Sequence, residues 1–319
     1  MALPGEAAFA RTRFVVLSCN TNTDAGELMR VWLMLLALLA CLAAPAAAAE
    51  PLTVGVSIPP QAWLVKQVGG EYVKPLVLLP PGASPATYEP SPRQLAKLSG
   101  ARLYLAVGVP FESAFLPRLK AKLPGLEVVP MQAGITPRRL EGRGHGHQGQ
   151  ELPGHGAGAP DPHVWLNPRL ARTMAANTAQ ALIKLDPAHA GAYRANLAQV
   201  QAKLTELDAE LARALAPLKG RTVLVFHPAY GYLLDAYGLR QEAVELEGKD
   251  PGPRRLAGLI DEARAEGVKA IFVQPQFNPA SAATVARAIG GVVVSLDPLA
   301  YDYMDNLRTL AAKIARGLQ

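Results

Sequence analysis

Three apolar runs in the C-terminal half end in a polar side chain followed by proline: His227-Pro228, Gln274-Pro275 and Asp297-Pro298. Each run reads as a β-strand, over 222–226, 270–273 and 292–296. In open α/β sheets ligands bind beyond the carboxyl ends of the strands, so imidazole, amide and carboxylate meet there along one edge. A further histidine, His163, stands in Asp161-Pro162-His163-Val164-Trp165, in the other half of the chain. Two imidazoles and a carboxylate without sulfur suit Zn2+, Mn2+ or a similar divalent ion. Position alone fits equally a hydrogen-bonded structural His227. Of the six histidines, His145, His147 and His155 share one Gly-rich stretch. Short His-rich tracts bind metal weakly and exchange it quickly; a linker with incidental histidines has the same composition. His189 reads as a solvated residue opening a helix. Two His, one Asp and an open position also describe catalytic zinc. The general-base motif that such hydrolases carry, such as HExxH, is absent from the sequence, so no enzyme is expected.

The elements that must hold these groups follow from the apolar pattern. Short Val/Leu-rich runs at 52–56, 73–79, 103–107 and 126–129 alternate with helical stretches at 61–68, 93–98 and 113–122. After residue 219 the rhythm resumes, with strands at 222–226, 241–246, 270–273 and 292–296 and helices at 231–237, 254–266, 280–289 and 305–318. Strands separated by helices of this length imply βαβ units and parallel sheets. Runs without strict alternation imply strands buried on both faces. Between the two groups lie a helix at 171–185 and a longer one at 188–216, with Asp186 as N-cap and Pro187 in the first turn. Leu197, Val200, Leu204, Leu207, Leu211 and Leu215 recur at spacings of three and four, one buried stripe. About 30 residues at 1.5 Å each span roughly 45 Å. Such a helix either joins two lobes or packs within one domain. Residues 132–162 lack apolar periodicity and read as a loop.

The chain is 319 residues long, 50% hydrophobic and 18% charged, too apolar for a disordered chain and too interrupted by charge for a polytopic membrane protein. Its net charge of +6 comes with no basic stripe interleaved with aromatics, so nucleic acid is not an expected partner. Arg30, the apolar run 31–44 and Ala47-Ala48-Ala49 have the form of an export signal cleaved near Ala49. Residues 1–28 then read as an over-called extension before a start at Met29. The alternative is a lipoprotein box ending at Cys41. Both cysteines, Cys19 and Cys41, lie in this leader, so the mature protein would carry no thiolate ligand.

With these residues the chain resembles the periplasmic zinc/manganese-binding solute-binding proteins of ABC importers. The resemblance covers the whole mature chain. It rests on Pro80-Pro81-Gly82-Ala83-Ser84-Pro85-Ala86-Thr87-Tyr88-Glu89-Pro90, Gly108-Val109-Pro110-Phe111-Glu112 and the His-rich loop. Asp161-Pro162-His163-Val164-Trp165-Leu166-Asn167-Pro168, Phe226-His227-Pro228-Ala229-Tyr230, Gln274-Pro275-Gln276-Phe277 and Leu296-Asp297-Pro298-Leu299 complete it. The resemblance implies an α/β fold of two similar parallel-sheet lobes joined by one long backbone helix, with the metal site in the cleft. It implies His163, His227 and Asp297 as metal ligands, zinc or manganese as cargo, and a membrane permease with its cytoplasmic ATPase as partners; two imidazoles and one carboxylate favour zinc over manganese.

One position departs from the family. Its first ligand is a histidine where this chain has Ala86, whose methyl cannot coordinate. Water, a loop histidine (His145, His147 or His155), Glu89 or Gln61 could fill the gap, the first two ranking highest. Gln274 stands where zinc-binding relatives often have Glu. The expected organisation is a leader over 1–49, an N-terminal lobe over 50–168 including the loop, a helical linker over 169–219 and a C-terminal lobe over 220–319, acting as a monomer. A periplasmic metal buffer or metallochaperone is the alternative function.

Overall fold

The computed structural model describes residues 50–140, 158–245 and 252–319, with residues 26, 29–30 and 32–34 of the leader. The first sheet is built from β1 (Leu52–Val56), β2 (Val73–Val77), β3 (Leu103–Ala106) and β4 (Glu127–Pro130). The second is built from β5 (Thr222–Val225), β6 (Arg240–Ala243), β7 (Ala270–Val273) and β8 (Val292–Ser295). All pairings are parallel, in the orders β2-β1-β3-β4 and β6-β5-β7-β8. The two lobes thus share one strand order, a repeat of topology without a residue-by-residue repeat of sequence. In each sheet the order reverses between its first and third strands, β1 and β3 or β5 and β7. There the connections diverge and leave a crevice.

Central strands β3 and β7 are buried throughout, as continuous apolar runs require. Edge strand β8 departs from the expectation of burial on both faces: Val292 and Val293 are exposed. An edge strand is covered by helices less completely than a central one.

The helices are α1 (Pro59–Gly69), α2 (Pro92–Lys97), α3 (Pro110–Lys122), α4 (Pro168–Leu185), α5 (Ala190–Leu215), α6 (Gly231–Ala236), α7 (Pro253–Ala265), α8 (Pro279–Ile289) and α9 (Tyr303–Gly317). Six of them begin on a proline, one to three residues before the apolar pattern starts. Proline lacks an N–H, but the first helical N–H has no intrahelical acceptor, so the loss there costs nothing. The side chains of Ser91, Asn167 and Asn278 cap α2, α4 and α8 by accepting a backbone N–H of the first turn.

The long helix is α5. Val200, Leu204, Leu207, Leu211 and Leu215 form its buried stripe. It packs on α4, on α1 of the first lobe and on α9 of the second, so it joins the lobes. Residues 51–319 form one unit, and one apolar core runs through both sheets and α5. Asp186 does not cap a helix with its side chain. Its carboxylate instead accepts from Tyr193 Oη at 2.6 Å and pairs with His189 Nδ1 at 2.7 Å. The His189 ring stacks on Tyr72 at 4.0 Å between centroids while 35% of its side chain stays exposed, so it is packed on one face and solvated on the other.

Candidate metal centre

His227 lies just past β5, where Phe226 N still bonds to Phe272 O and extends the sheet by one residue. His163 lies between Pro162 and a short 3-10 turn, Val164–Leu166. That turn is anchored to the second lobe: Trp165 Nε1 donates to Pro298 O at 2.8 Å, and Tyr303 Oη donates to Trp165 O at 2.5 Å. The two imidazoles meet with centroids 5.4 Å apart and planes at 75°. They line a cavity of about 40 Å³ with Ser84, Pro85, Ala86, Gln274 and Phe277 among its walls. A water needs about 10–15 Å³ on this measure. The space is therefore large enough for an ion with a water or two.

Each imidazole is held from behind by a buried carboxylate. Asp161 Oδ1 lies 2.7 Å from His163 Nδ1 and accepts His163 N at 3.0 Å. Glu245 Oε2 lies 2.8 Å from His227 Nδ1. An ionised carboxylate only accepts, so each Nδ1 carries a proton, which in the neutral ring leaves the Nε2 lone pair for a metal. This arrangement fixes ring and tautomer for a metal and raises the basicity of the donor nitrogen. Burial, joined by the neighbouring His227 imidazole, holds His163 below its ordinary value against the pull of Asp161. Burial pushes Asp161 upward, but the hydrogen bonds and charge of His163, with Arg138, outweigh it and hold the carboxyl below the usual range. Both groups are thus in the form that metal binding needs at neutral pH.

Neither carboxylate was singled out from sequence. Asp161 had a local signal, two residues before His163 in Asp-Pro-His. Glu245 had none. It reaches His227 because β5 and β6 pair with Thr222 opposite Arg240, a register that continues through Glu245 N to Phe226 O.

The other candidates separate. Asp297 follows β8, and both described hydrogen bonds to its carboxylate fall on Oδ1, from Leu299 N at 2.9 Å and Gln276 Nε2 at 3.1 Å. Among the described residues no three His, Cys, Asp or Glu side chains stand ready around one ion. Gln274 lines the cavity and clasps the His227 backbone, its Nε2 donating to His227 O at 2.8 Å. Gln61 points into the first lobe, where Oε1 accepts Ser57 N and Ile58 N and Nε2 donates to Leu105 O. Its role is to close the start of α1, away from the cavity. Glu89 faces solvent and pairs with Arg118 at 3.4 Å. Neither therefore stands where the side chain of Ala86 does. His145, His147 and His155 lie outside the described residues, as do Cys19 and Cys41.

The cavity wall on the first lobe is set by a buried polar cluster. Glu112 accepts Val107 N at 3.0 Å and Gly108 N at 2.8 Å, and also the Ser57 hydroxyl, which contacts Tyr104 Oη as well. Burial raises the Glu112 carboxyl. Its bonds shape the turn that brings Val109 and Pro110 to the cavity.

Two parallel-sheet α/β lobes joined by one long helix, with a small cavity lined by two imidazoles, form an architecture suited to holding a small solute between lobes. Over residues 54–317 the chain matches the family described as "Zinc-uptake complex component A periplasmic", ZnuA, and it belongs to that family. The high-affinity zinc uptake system protein ZnuA of Paracoccus denitrificans (strain Pd 1222) is 33% identical over 279 residues, 79% of this chain and 85% of that protein. A crystal structure of ZnuA superposes with a TM-score of 0.78 at 38% identity, covering 85% of this chain and 100% of that one. A zinc-bound ZnuA deletion mutant gives 0.77 at 38% identity, covering 85% and 99%. The family is one of transport components rather than of enzymes. Among the described residues no helix is long and apolar enough to cross a membrane.

Proposed function

We propose that the protein captures a divalent metal ion, zinc before manganese, outside the cytoplasm and delivers it to the permease of an ABC importer driven by a cytoplasmic ATPase. The observation that carries the reading is the pair His163 and His227, each with Nδ1 on a buried carboxylate, lining one small cavity. Asp297, whose described hydrogen bonds fall on Oδ1, is the third ligand, and a loop histidine or water takes the place left by Ala86. Two neutral imidazoles and one carboxylate suit a low-coordinate zinc site, whereas manganese prefers more oxygen donors. In this reading the export signal is cleaved near Ala49 and the mature protein is a monomer.

Calorimetric titration with Zn2+ tests the site. His227→Ala removes one of two fixed imidazoles, and its affinity should fall by about 100-fold or more. Affinity within about threefold of wild type would refute the site. Ala86 also favours a second reading, a periplasmic metal buffer or metallochaperone, because a site short of one fixed ligand exchanges faster. Loss of the protein from its host should impair growth in zinc-chelated medium if it serves import. Unimpaired growth would favour the buffer.

A further inference from the structure

Arg138 follows β4 on the chain, ahead of the pairing of Leu140 with Gly158 and Ala159. Among the described residues its guanidinium joins two carboxylates of different origin. Nε donates to Asp235 Oδ2 at 2.6 Å, on α6 of the second lobe. Nη1 donates to Asp161 Oδ2 at 3.2 Å. The other oxygen of that carboxylate, Oδ1, holds His163. A row of charged groups therefore runs from α6 to a cavity-facing imidazole: Asp235, Arg138, Asp161, His163.

Other contacts fix Arg138 in this place. Its backbone N–H donates to Tyr232 Oη at 2.8 Å, and the same hydroxyl donates to Asp161 O at 3.0 Å. The guanidinium lies 5.7 Å from the Tyr232 ring centroid. It also rests on Gly231, where any Cβ would run into Nη1, so the close approach requires a residue without a side chain. Asp161 is fully buried and Arg138 nearly so, at 14% side-chain exposure, whereas Asp235 is half-exposed. Arg138 follows β4 of the first lobe in the chain, yet its backbone is held by Tyr232 and by Asp161 N, and the turn after His163 is anchored to the second lobe.

We infer that Arg138 is a positioning residue that ties the docking of α6 to the orientation of His163 through Asp161, so that retention of the metal depends on Asp235, far from the cavity wall. The inference rests on the reading of His163 as a metal ligand. Two carboxylates in one fixed fork need a guanidinium; a lysine ammonium is a point charge without that geometry. Orientation and charge make opposite predictions. Arg138 is a cation near a cation site, so its charge alone would speed metal release and its removal would slow it. As a positioning residue, its removal does the reverse.

The experiment is stopped-flow release of Zn2+ to a chelator from the purified protein and from Arg138→Lys, Arg138→Met, Asp235→Asn and His163→Ala. Groups directly bonded to metal-binding histidines change affinity by about 10- to 100-fold when mutated. One bond further out, Arg138→Lys, Arg138→Met and Asp235→Asn should each speed release about fivefold. Arg138→Lys combined with Asp235→Asn should exceed neither single change, because both break one row. Asp235→Asn should also move the NMR signal of the His163 Nδ1 proton, which a merely stabilising surface pair would leave alone. If Arg138→Met fails to fold, Asp235→Asn, at a half-exposed residue, decides. Wild-type release in Asp235→Asn with an unmoved proton signal, alongside lost binding in His163→Ala, overturns the inference and leaves the metal centre standing. Unchanged binding in His163→Ala overturns both.

Discussion

Removing the carboxylate behind His227 isolates the orientation of a ligand from its presence. Glu245 is buried, with 3% of its side chain exposed, and Oε2 holds His227 Nδ1 at 2.8 Å. Its other oxygen, Oε1, is buried and has no hydrogen-bond partner among the described residues. An unpartnered buried acceptor costs about 1–3 kcal/mol, so the metal-free protein gains little from this side chain. Glu245→Gln should leave the melting temperature of the metal-free protein nearly unchanged. In the metal-bound protein the amide oxygen of Gln can still accept from Nδ1–H and keep the tautomer, but the imidazole loses the negative charge behind it and part of its basicity. Changes of this kind cost about 10- to 100-fold in affinity, or roughly 1.4–2.8 kcal/mol. Charge is separated from orientation by Glu245→Asp, which keeps the negative charge but is one methylene too short to reach Nδ1. Competition with a chelator of known zinc affinity measures all three proteins. Orientation predicts that Glu245→Asp weakens binding although the charge is kept, and loss of basicity adds a weakening in Glu245→Gln. Wild-type affinity in Glu245→Asp beside a weak Glu245→Gln would show that charge alone matters and refute the argument.

Ala86→His should tighten Zn2+ binding about tenfold, because an imidazole on the cavity wall is ordered before the metal arrives. Deleting residues 142–157 should weaken binding in the native background and less in Ala86→His, a non-additivity that calorimetry on the double variant reads; equal costs would exclude a loop ligand. The pH dependence of the metal-free protein follows from His163, which the fold holds below its ordinary 6.5. The unfolded imidazole binds its proton first, so stability present above pH 6.5 falls as pH drops through that value toward the folded one. Asp161, held below 3.8, contributes no loss in this range. Urea midpoints should fall between pH 7 and 5 and flatten in His163→Gln; a flat wild-type curve would contradict the assigned shift.

Periodicity and strand-end chemistry made most of the fold and the histidine pair legible in the sequence. Apolar runs at βα spacing required parallel sheets, and the stripe from Val200 to Leu215 required a long buried helix. Strand-end polar residues placed His227 and Gln274 at the edge where the structure finds them. These are local properties, written in which face of each segment is apolar. Starts of helices were read late wherever a proline opened them, because proline breaks a pattern that its backbone continues. The environment of each histidine was decided only in three dimensions. His227 meets Glu245, 18 residues on, through the register of β5 and β6, and Arg138 meets Asp235, 97 residues on, through the docking of two lobes. Gln61 turned inward and Glu89 outward for the same reason: a polar side chain takes whichever partners the packed backbone offers. Sequence states which groups a chain can bring to a site, while register and packing select their partners, because a hydrogen bond depends on distances that no local pattern encodes.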